Sequence, residues 1–207
     1  MVARVAHKDL WIIRHGEPDV PMNSWRITRD EFNHYLLAYD QAGLSQAEAE
    51  RLRLQYQAYP QPDLVLASDL PRALETAKLY ARGTPVFTDP VLREVPVELP
   101  SQSTWFLNGR WPKRVWWSYL RAAWFRGLQA ESPALSRKRA RAAVEFIEAH
   151  RGQSRQMAVV SHSGFLLIVV NQLHRQHQIA GPFLPSIDFG RPTGYQWLGK
   201  LQSQAHD

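Results

Sequence analysis

Short apolar runs, each cut off by Gly, Pro or polar residues, set the rhythm of this chain. Leu10-Trp11-Ile12-Ile13, Asp63-Leu64-Val65-Leu66-Ala67 and Met157-Ala158-Val159-Val160-Ser161 have the length and composition of buried strands. Val86-Phe87 reads as a further short strand, and Gly194 to Leu198 as the last. Helical stretches lie between them. Leu44 to Tyr59 is one, with Ser45 as its N-cap, Glu48 at the capping-box spacing, and Pro60 and Pro62 at its end. Leu70 to Ala81 is another, capped by Ser68 or Asp69, with Pro71 in its first turn and Gly83 and Pro85 closing it. Ser136 to His150 and a segment from His162-Ser163-Gly164 to about Leu173 complete the helical set. Strands alternating with helices predict an α/β fold: three layers, α/β/α, around a mostly parallel central sheet.

Two segments stand outside that alternation. Val20 to Gly43 is a mixed aromatic and polar connection, too long for a tight strand-to-helix turn. Ser101 to Gly127 is rich in Trp and Arg and reads as an insertion or lid within a single domain spanning residues 1–207. Inside it Trp116, Leu120 and Trp124 recur at four-residue spacing, with Arg114, Arg121 and Arg126 among them. One reading is a helix whose apolar face covers the core. The other is a surface over residues 110–126 that touches anionic lipid weakly or closes over an anionic substrate.

Composition narrows the classes. The chain has 207 residues and no cysteine, so disulfides, thiolate metal sites and cysteine nucleophiles are excluded. No apolar run approaches the roughly 20 residues that span a bilayer. The one early apolar stretch is short and leads straight into Arg14-His15, which does not fit a signal peptide, so a cytoplasmic location is expected. Net charge is +6, concentrated between Arg110 and Arg155, where eleven Lys/Arg face only Glu131, Glu145 and Glu148. Anionic small molecules, membranes and nucleic acid can all exploit such a region, as can plain solvent.

Chemistry gathers where strands give way to helices. Arg14-His15-Gly16 follows the first strand, Arg72 the second long one, and His162 the strand before the last helix. Ligands of open α/β sheets bind at the carboxyl edge, where loops distant in sequence converge. Two arginines close to two histidines repel a metal cation and suit a phosphate dianion, which guanidinium forks bind with charge-assisted bonds. Helix starts at Leu70 and Gly164 add backbone N–H groups with favourable dipoles. His174 and His177, three apart, lack an accompanying carboxylate pattern. Ser161 and Ser163 lie in no nucleophile elbow, and no phosphate-binding P-loop exists.

The segments Ile12-Ile13-Arg14-His15-Gly16-Glu17, Ser68-Asp69-Leu70-Pro71-Arg72-Ala73-Leu74-Glu75-Thr76-Ala77 and Val159-Val160-Ser161-His162-Ser163-Gly164 resemble the histidine phosphatase superfamily, which includes the cofactor-dependent phosphoglycerate mutases. Leu92-Arg93-Glu94 is similar to its Leu-x-Glu segment, and Glu131-Ser132 to the Glu-Ser that precedes its late helix. The resemblance runs from Leu10 to Leu173 and implies a phosphoglycerate mutase-like fold carrying the Trp/Arg-rich helical insertion. It also implies roles: His15 as the nucleophile that becomes phosphohistidine, Arg14, Arg72 and His162 as holders of the phosphoryl oxygens, and Glu94 as proton donor, with Asp89 and Glu98 as rival acids nearby.

Where the mutases carry Glu, Ser or Thr, two further positions and Asn, this chain has Pro18-Asp19-Val20-Pro21. Hydrolysis needs fewer substrate contacts than retaining and reorienting a bisphosphate. The expectation is therefore a metal-independent, cofactor-free phosphomonoesterase on a small phosphorylated metabolite, with no nucleic-acid partner. A phosphomutase, a phosphohistidine protein phosphatase and a non-catalytic phosphate-binding module are the alternatives. The specificity segments Val20–Gly43 and Ser101–Gly127 match no readable pattern, and no position bears on oligomeric state.

Overall fold

The computed structural model describes residues 8–21, 24–99, 108–151 and 154–198. His7, His206 and the first part of the Trp/Arg-rich segment, 101–107, lie outside them. In chain order the elements are β1 (Leu10–Arg14), β2 (Arg26–Ile27), α1 (Arg29–Gln41), α2 (Gln46–Tyr56), β3 (Leu64–Ala67), α3 (Pro71–Ala81) and β4 (Val86–Thr88). A 3-10 turn at Pro90–Leu92 follows, then β5 (Trp111–Pro112), α4 (Lys113–Phe125), α5 (Pro133–Arg151), β6 (Met157–Ser161), α6 (Ser163–Arg175), β7 (Ile179–Ala180) and β8 (Pro192–Trp197).

The strands expected from the apolar runs all form, and they assemble in the order β4-β3-β6-β1-β8-β7. From β4 to β1 every pairing is parallel; β8 and β7 add an antiparallel edge. Period-two alternation explains the layers. Leu10, Ile12, Leu64, Leu66, Met157 and Val159 face α5 and α6. Trp11, Ile13, Val65, Ala67, Ala158 and Val160 face α2 and α3. Both faces are covered, as a parallel sheet requires, and the three-layer architecture is the expected one.

Three local details differ from expectation. Ser45 caps α2 by accepting the Glu48 N–H at 3.1 Å, but the Glu48 carboxylate accepts the Glu17 N–H at 2.9 Å instead of closing a capping box. Neither Ser68 nor Asp69 is the N-cap of α3; Leu70 is, without a side-chain bond. Ser68 is turned to His162, and Asp69 holds Arg93 in a bidentate pair. Finally, the 20–43 connection contains a whole helix, α1, begun by a reciprocal capping box between Thr28 and Glu31.

That helix explains the insertion. Trp116 and Leu120 of α4 pack on Phe32 and Ile27, with Trp116 and Phe32 stacked at 5.7 Å and Trp116 Nε1 donating to the Ile27 carbonyl at 3.0 Å. Of the apolar stripe, Trp116 and Leu120 build a separate small cluster with α1, while Trp124 packs against the main core as the core-cover reading expected. Exposed Phe125 and Leu128 and the exposed Arg114, Arg121 and Arg126 are what α4 and its end leave to solvent. Among the described residues no helix is long and apolar enough to cross a membrane.

Candidate active site

β3, β6 and β1 lie side by side, and their carboxyl ends deliver the three polar segments to one place. Arg14 pairs in register with Ser161, and the His15 N–H continues the ladder to the Ser161 carbonyl at 2.9 Å. His15 therefore stands beside His162, their rings 4.9 Å apart. The chain turns sharply at Gly16, whose N–H donates to Thr76 Oγ1 at 2.8 Å. A Cβ there would meet Leu52 Cδ1 at 2.7 Å and Leu44 Cδ2 at 2.9 Å and would push both leucine side chains aside. Thr76 in turn donates to the Arg72 carbonyl one turn earlier on α3, tying the first motif to the second.

His15 is almost wholly buried, and its Nδ1 lies 2.7 Å from the Gly16 carbonyl. A carbonyl oxygen only accepts, so Nδ1 carries the proton and Nε2 keeps its lone pair. Burial, reinforced by Arg72 and Arg14 and opposed by the Gly16 bond, lowers its pKa to about 3. The imidazole is neutral at physiological pH. His162 is driven well below the usual histidine value by burial first, then by His15 and the arginines around it.

Arg72 is buried, with Nη1 donating to the Tyr39 carbonyl at 2.6 Å and Nη2 to Asp40 at 3.2 Å. Its guanidinium lies 4.5 Å from the Tyr39 ring. Arg14 stacks on Phe189 at 3.7 Å and donates to the Ile187 carbonyl. Arg14 Nε, Arg72 Nε and His162 Nδ1 are buried with no hydrogen-bond partner among the described residues. Three unsatisfied polar atoms around one neutral histidine are costly unless an anion meets them.

Glu94 is partly buried beneath the start of α6. Its Oε1 accepts from Val95 N at 3.0 Å and Phe165 N at 2.9 Å, and its Oε2 from Gly164 N at 3.3 Å. Burial raises its pKa against the pull of these three donors and of Arg72. Here the structure corrects the sequence expectation for the two helix starts. The Gly164 N–H serves Glu94, and the Leu70 N–H serves Ser68 Oγ at 3.3 Å, so both are spent inside the protein. Gly164 is needed because a Cβ there would lie 2.9 Å from Glu94 Oε1.

Glu131, noticed in the sequence without a task, pairs with Arg139 at 3.0 Å. Arg139 then donates to the carbonyls of Val91, Arg93 and Glu94, clamping the turn that carries Glu94. Pro18 bridges to Leu44 and Asp19 N–H donates to the Gly43 carbonyl, so this run is used in main-chain pairing. The rival acid Asp89 is taken up in capping the 3-10 turn through Val91 N at 2.7 Å, and Glu98 is exposed. His174 bonds the Pro182 carbonyl, and no three His, Asp or Glu side chains converge for a metal among the described residues.

Sequence reasoning missed Tyr39, Phe189 and Asp40. The Tyr39 hydroxyl is 3.5 Å from His15 Nε2, and the Phe189 ring is 5.6 Å from the His15 ring. The Thr28-x-x-Glu31 signature was a readable sign of the helix that carries Tyr39; nothing local marks Phe189.

A buried Arg72, a half-buried Arg14 and paired histidines thus meet at the carboxyl edge of a parallel sheet, an arrangement suited to an anion. The sequence matches the histidine phosphatase superfamily (branch 1) over residues 10–185, and the chain belongs to that family. Among solved structures, mycobacterial glucosyl-3-phosphoglycerate phosphatase shares the fold at 21% identity and TM-score 0.55, over 81% of this chain and 80% of that one. A phosphoserine phosphatase from Entamoeba histolytica, in complex with 3-phosphoglyceric acid, does so at 18% identity and TM-score 0.53, over 81% and 80%. Mycobacterial hydrolase 2 aligns at 20% identity and TM-score 0.57, over 96% and 93%. No curated protein matches the chain.

Proposed function

We propose that this histidine phosphatase is a phosphomonoesterase acting on a small phosphorylated metabolite through a phosphohistidine at His15. The observation that carries the reading is the bond from His15 Nδ1 to the Gly16 carbonyl at 2.7 Å. It fixes the tautomer in which Nε2 is the nucleophilic atom, and the depressed pKa keeps that atom free of a proton.

In the first displacement the Nε2 lone pair attacks phosphorus in line. The bond to the ester oxygen breaks, its electrons stay with that oxygen, and the Glu94 carboxyl gives it a proton so that an alcohol leaves. Arg14, Arg72 and His162 hold the equatorial oxygens, and this preorganised charge supplies most of the rate. In the second displacement water attacks phosphorus and passes a proton to the Glu94 carboxylate. The P–N bond breaks and its electrons return to Nε2, releasing inorganic phosphate. A raised Glu94 pKa suits the first role, because more of the protonated acid persists toward neutral pH.

Turnover of p-nitrophenyl phosphate in EDTA, followed by a panel of sugar, nucleotide and hydroxy-acid phosphates, tests this. EDTA-resistant turnover and one chemical class with the best kcat/KM are the expected results. No turnover across roughly pH 5 to 8, with inorganic phosphate still bound, contradicts it and leaves a phosphate-binding module.

A further inference from the structure

We propose that Ser68 is a positioning residue: it fixes the proton of His162 on Nδ1, making that nitrogen a donor to the phosphoryl group. The inference deepens the phosphatase reading above and rests on it for the identity of the anion.

Ser68 follows β3 directly, is fully buried, and its Oγ lies 2.9 Å from His162 Nε2. A hydroxyl has one proton to donate and two lone pairs to accept with. One lone pair already takes the Leu70 N–H at 3.3 Å. Among the described residues the hydroxyl proton has one acceptor within reach, His162 Nε2. If Nε2 carried the ring proton, it would donate to Ser68, and two buried groups would be left unsatisfied: the serine hydroxyl proton and the Nδ1 lone pair. With the proton on Nδ1, Ser68 donates to Nε2 and only the Nδ1–H lacks a partner, as that atom does here. A phosphoryl oxygen satisfies this N–H and repels the lone pair of the other tautomer. The doubly protonated ring is disfavoured by its burial among His15, Arg72, Arg14 and Arg139.

The two histidines therefore share one tautomer for opposite tasks. His15 has Nδ1–H held by a carbonyl, which frees Nε2 to attack. His162 has Nε2 held by a hydroxyl, which turns Nδ1–H into a donor. A histidine flanked by serines at 161 and 163 gives no sign in the sequence that the serine controlling it sits at 68. Ser161 is occupied elsewhere, donating to the Leu92 carbonyl at 2.6 Å.

Long-range proton–nitrogen NMR of the ¹⁵N-labelled protein near neutral pH reads the tautomer directly. The expected result is a protonated Nδ1 and an unprotonated Nε2 on His162; the reverse overturns the proposal. In Ser68→Ala the His162 signals move toward the Nε2–H form and calorimetric affinity for inorganic phosphate falls by about tenfold or more, the worth of one bond to a charged group. Ser68→Thr, which keeps the hydroxyl, retains the wild-type signature. Unchanged tautomer and phosphate affinity in Ser68→Ala also overturn it. Neither readout needs turnover, so a protein that binds phosphate without hydrolysis would refute the phosphatase reading and leave the Ser68 inference standing on its own result.

Discussion

The strand-tip pocket and the α1–α4 cap above it are both rich in arginine and aromatic rings, yet they are held together in different ways. In the pocket, the backbone beneath the histidines is fixed by the sheet and by α3: His15 N–H continues the strand ladder to Ser161, and the Gly16 N–H donates to Thr76 Oγ1. The cap has its own short two-stranded pairing of β2 with β5, and beyond it is packed by side chains: Phe32 stacks on Tyr35 at 5.9 Å and on Trp116, and meets Trp117 edge-on at 5.8 Å. Its reach into the pocket runs through Tyr39 and Asp40, which hold Arg72. Groups rooted at the sheet are held in fixed mutual geometry, as the proposed phosphoryl transfer needs, whereas the cap touches the pocket through the end of α1.

Removing the nucleophile should have the largest effect. His15→Ala is expected to cut p-nitrophenyl phosphate turnover by at least about 10³-fold, measured by initial rates against a correctly folded variant. Glu94→Gln comes next: alkyl phosphates should slow by roughly 10²–10⁴-fold, and nitrophenyl phosphate, whose leaving group needs no proton, by far less. Equal slowing of both substrates would remove Glu94 from the acid role. For alkyl esters kcat should also decline as pH rises through the raised Glu94 pKa, because the protonated acid is then lost.

The cap breaks differently. Trp116→Ala deletes a buried ring at its centre and should cost about 3–5 kcal/mol there. Hydrogen exchange is expected to quicken across α1 and α4 while the amides of β1, β3 and β6 stay protected. Uniform loss of protection would mean that the two regions are one cooperative unit.

Acid stability belongs to the pocket. His15 has a folded pKa of about 3 against 6.5 in the unfolded chain, so between those values the unfolded state binds the extra proton. Stability therefore rises with pH through this window and falls as pH drops below 6.5, by about 1.4 kcal/mol per unit once well inside it. His162, also lowered, adds to the same slope. Urea unfolding of wild type and His15→Asn between those pH values should show a shallower slope in the variant.

The smallest effect lies at the junction. Asp40 is mostly exposed and pairs with Arg72; on the proposal that Arg72 holds the phosphoryl group, Asp40→Asn should tighten inorganic phosphate binding by about two- to fivefold, the range of a screened ion pair. Weaker binding would instead make Asp40 a support for the arginine.

The same contrast governs what the sequence disclosed. The strands, the helices that cover them, and the residues at their tips follow from period and punctuation, because each is fixed by local propensity plus burial. Tyr39 and Phe189 reach the site by tertiary packing across 24 and 174 positions from His15, which no local pattern encodes. Helix α1 was legible but overlooked: Phe32, Tyr35, Leu36 and Tyr39 recur at i, i+3, i+4 and i+7 behind the Thr28–Glu31 capping box. The N–H groups at the starts of α3 and α6 looked available for phosphate, since nothing in the chain announces that Ser68 and Glu94 occupy them.

The most direct test is to trap the intermediate. The enzyme is mixed with ³²P-labelled nitrophenyl phosphate, quenched in alkali, where phosphohistidine survives, and the labelled peptide is sequenced. The expected result is an acid-labile phosphoryl group on His15, attached at Nε2, that forms and decays at rates compatible with turnover. Turnover without any phosphoenzyme, or a label on another residue, would contradict it.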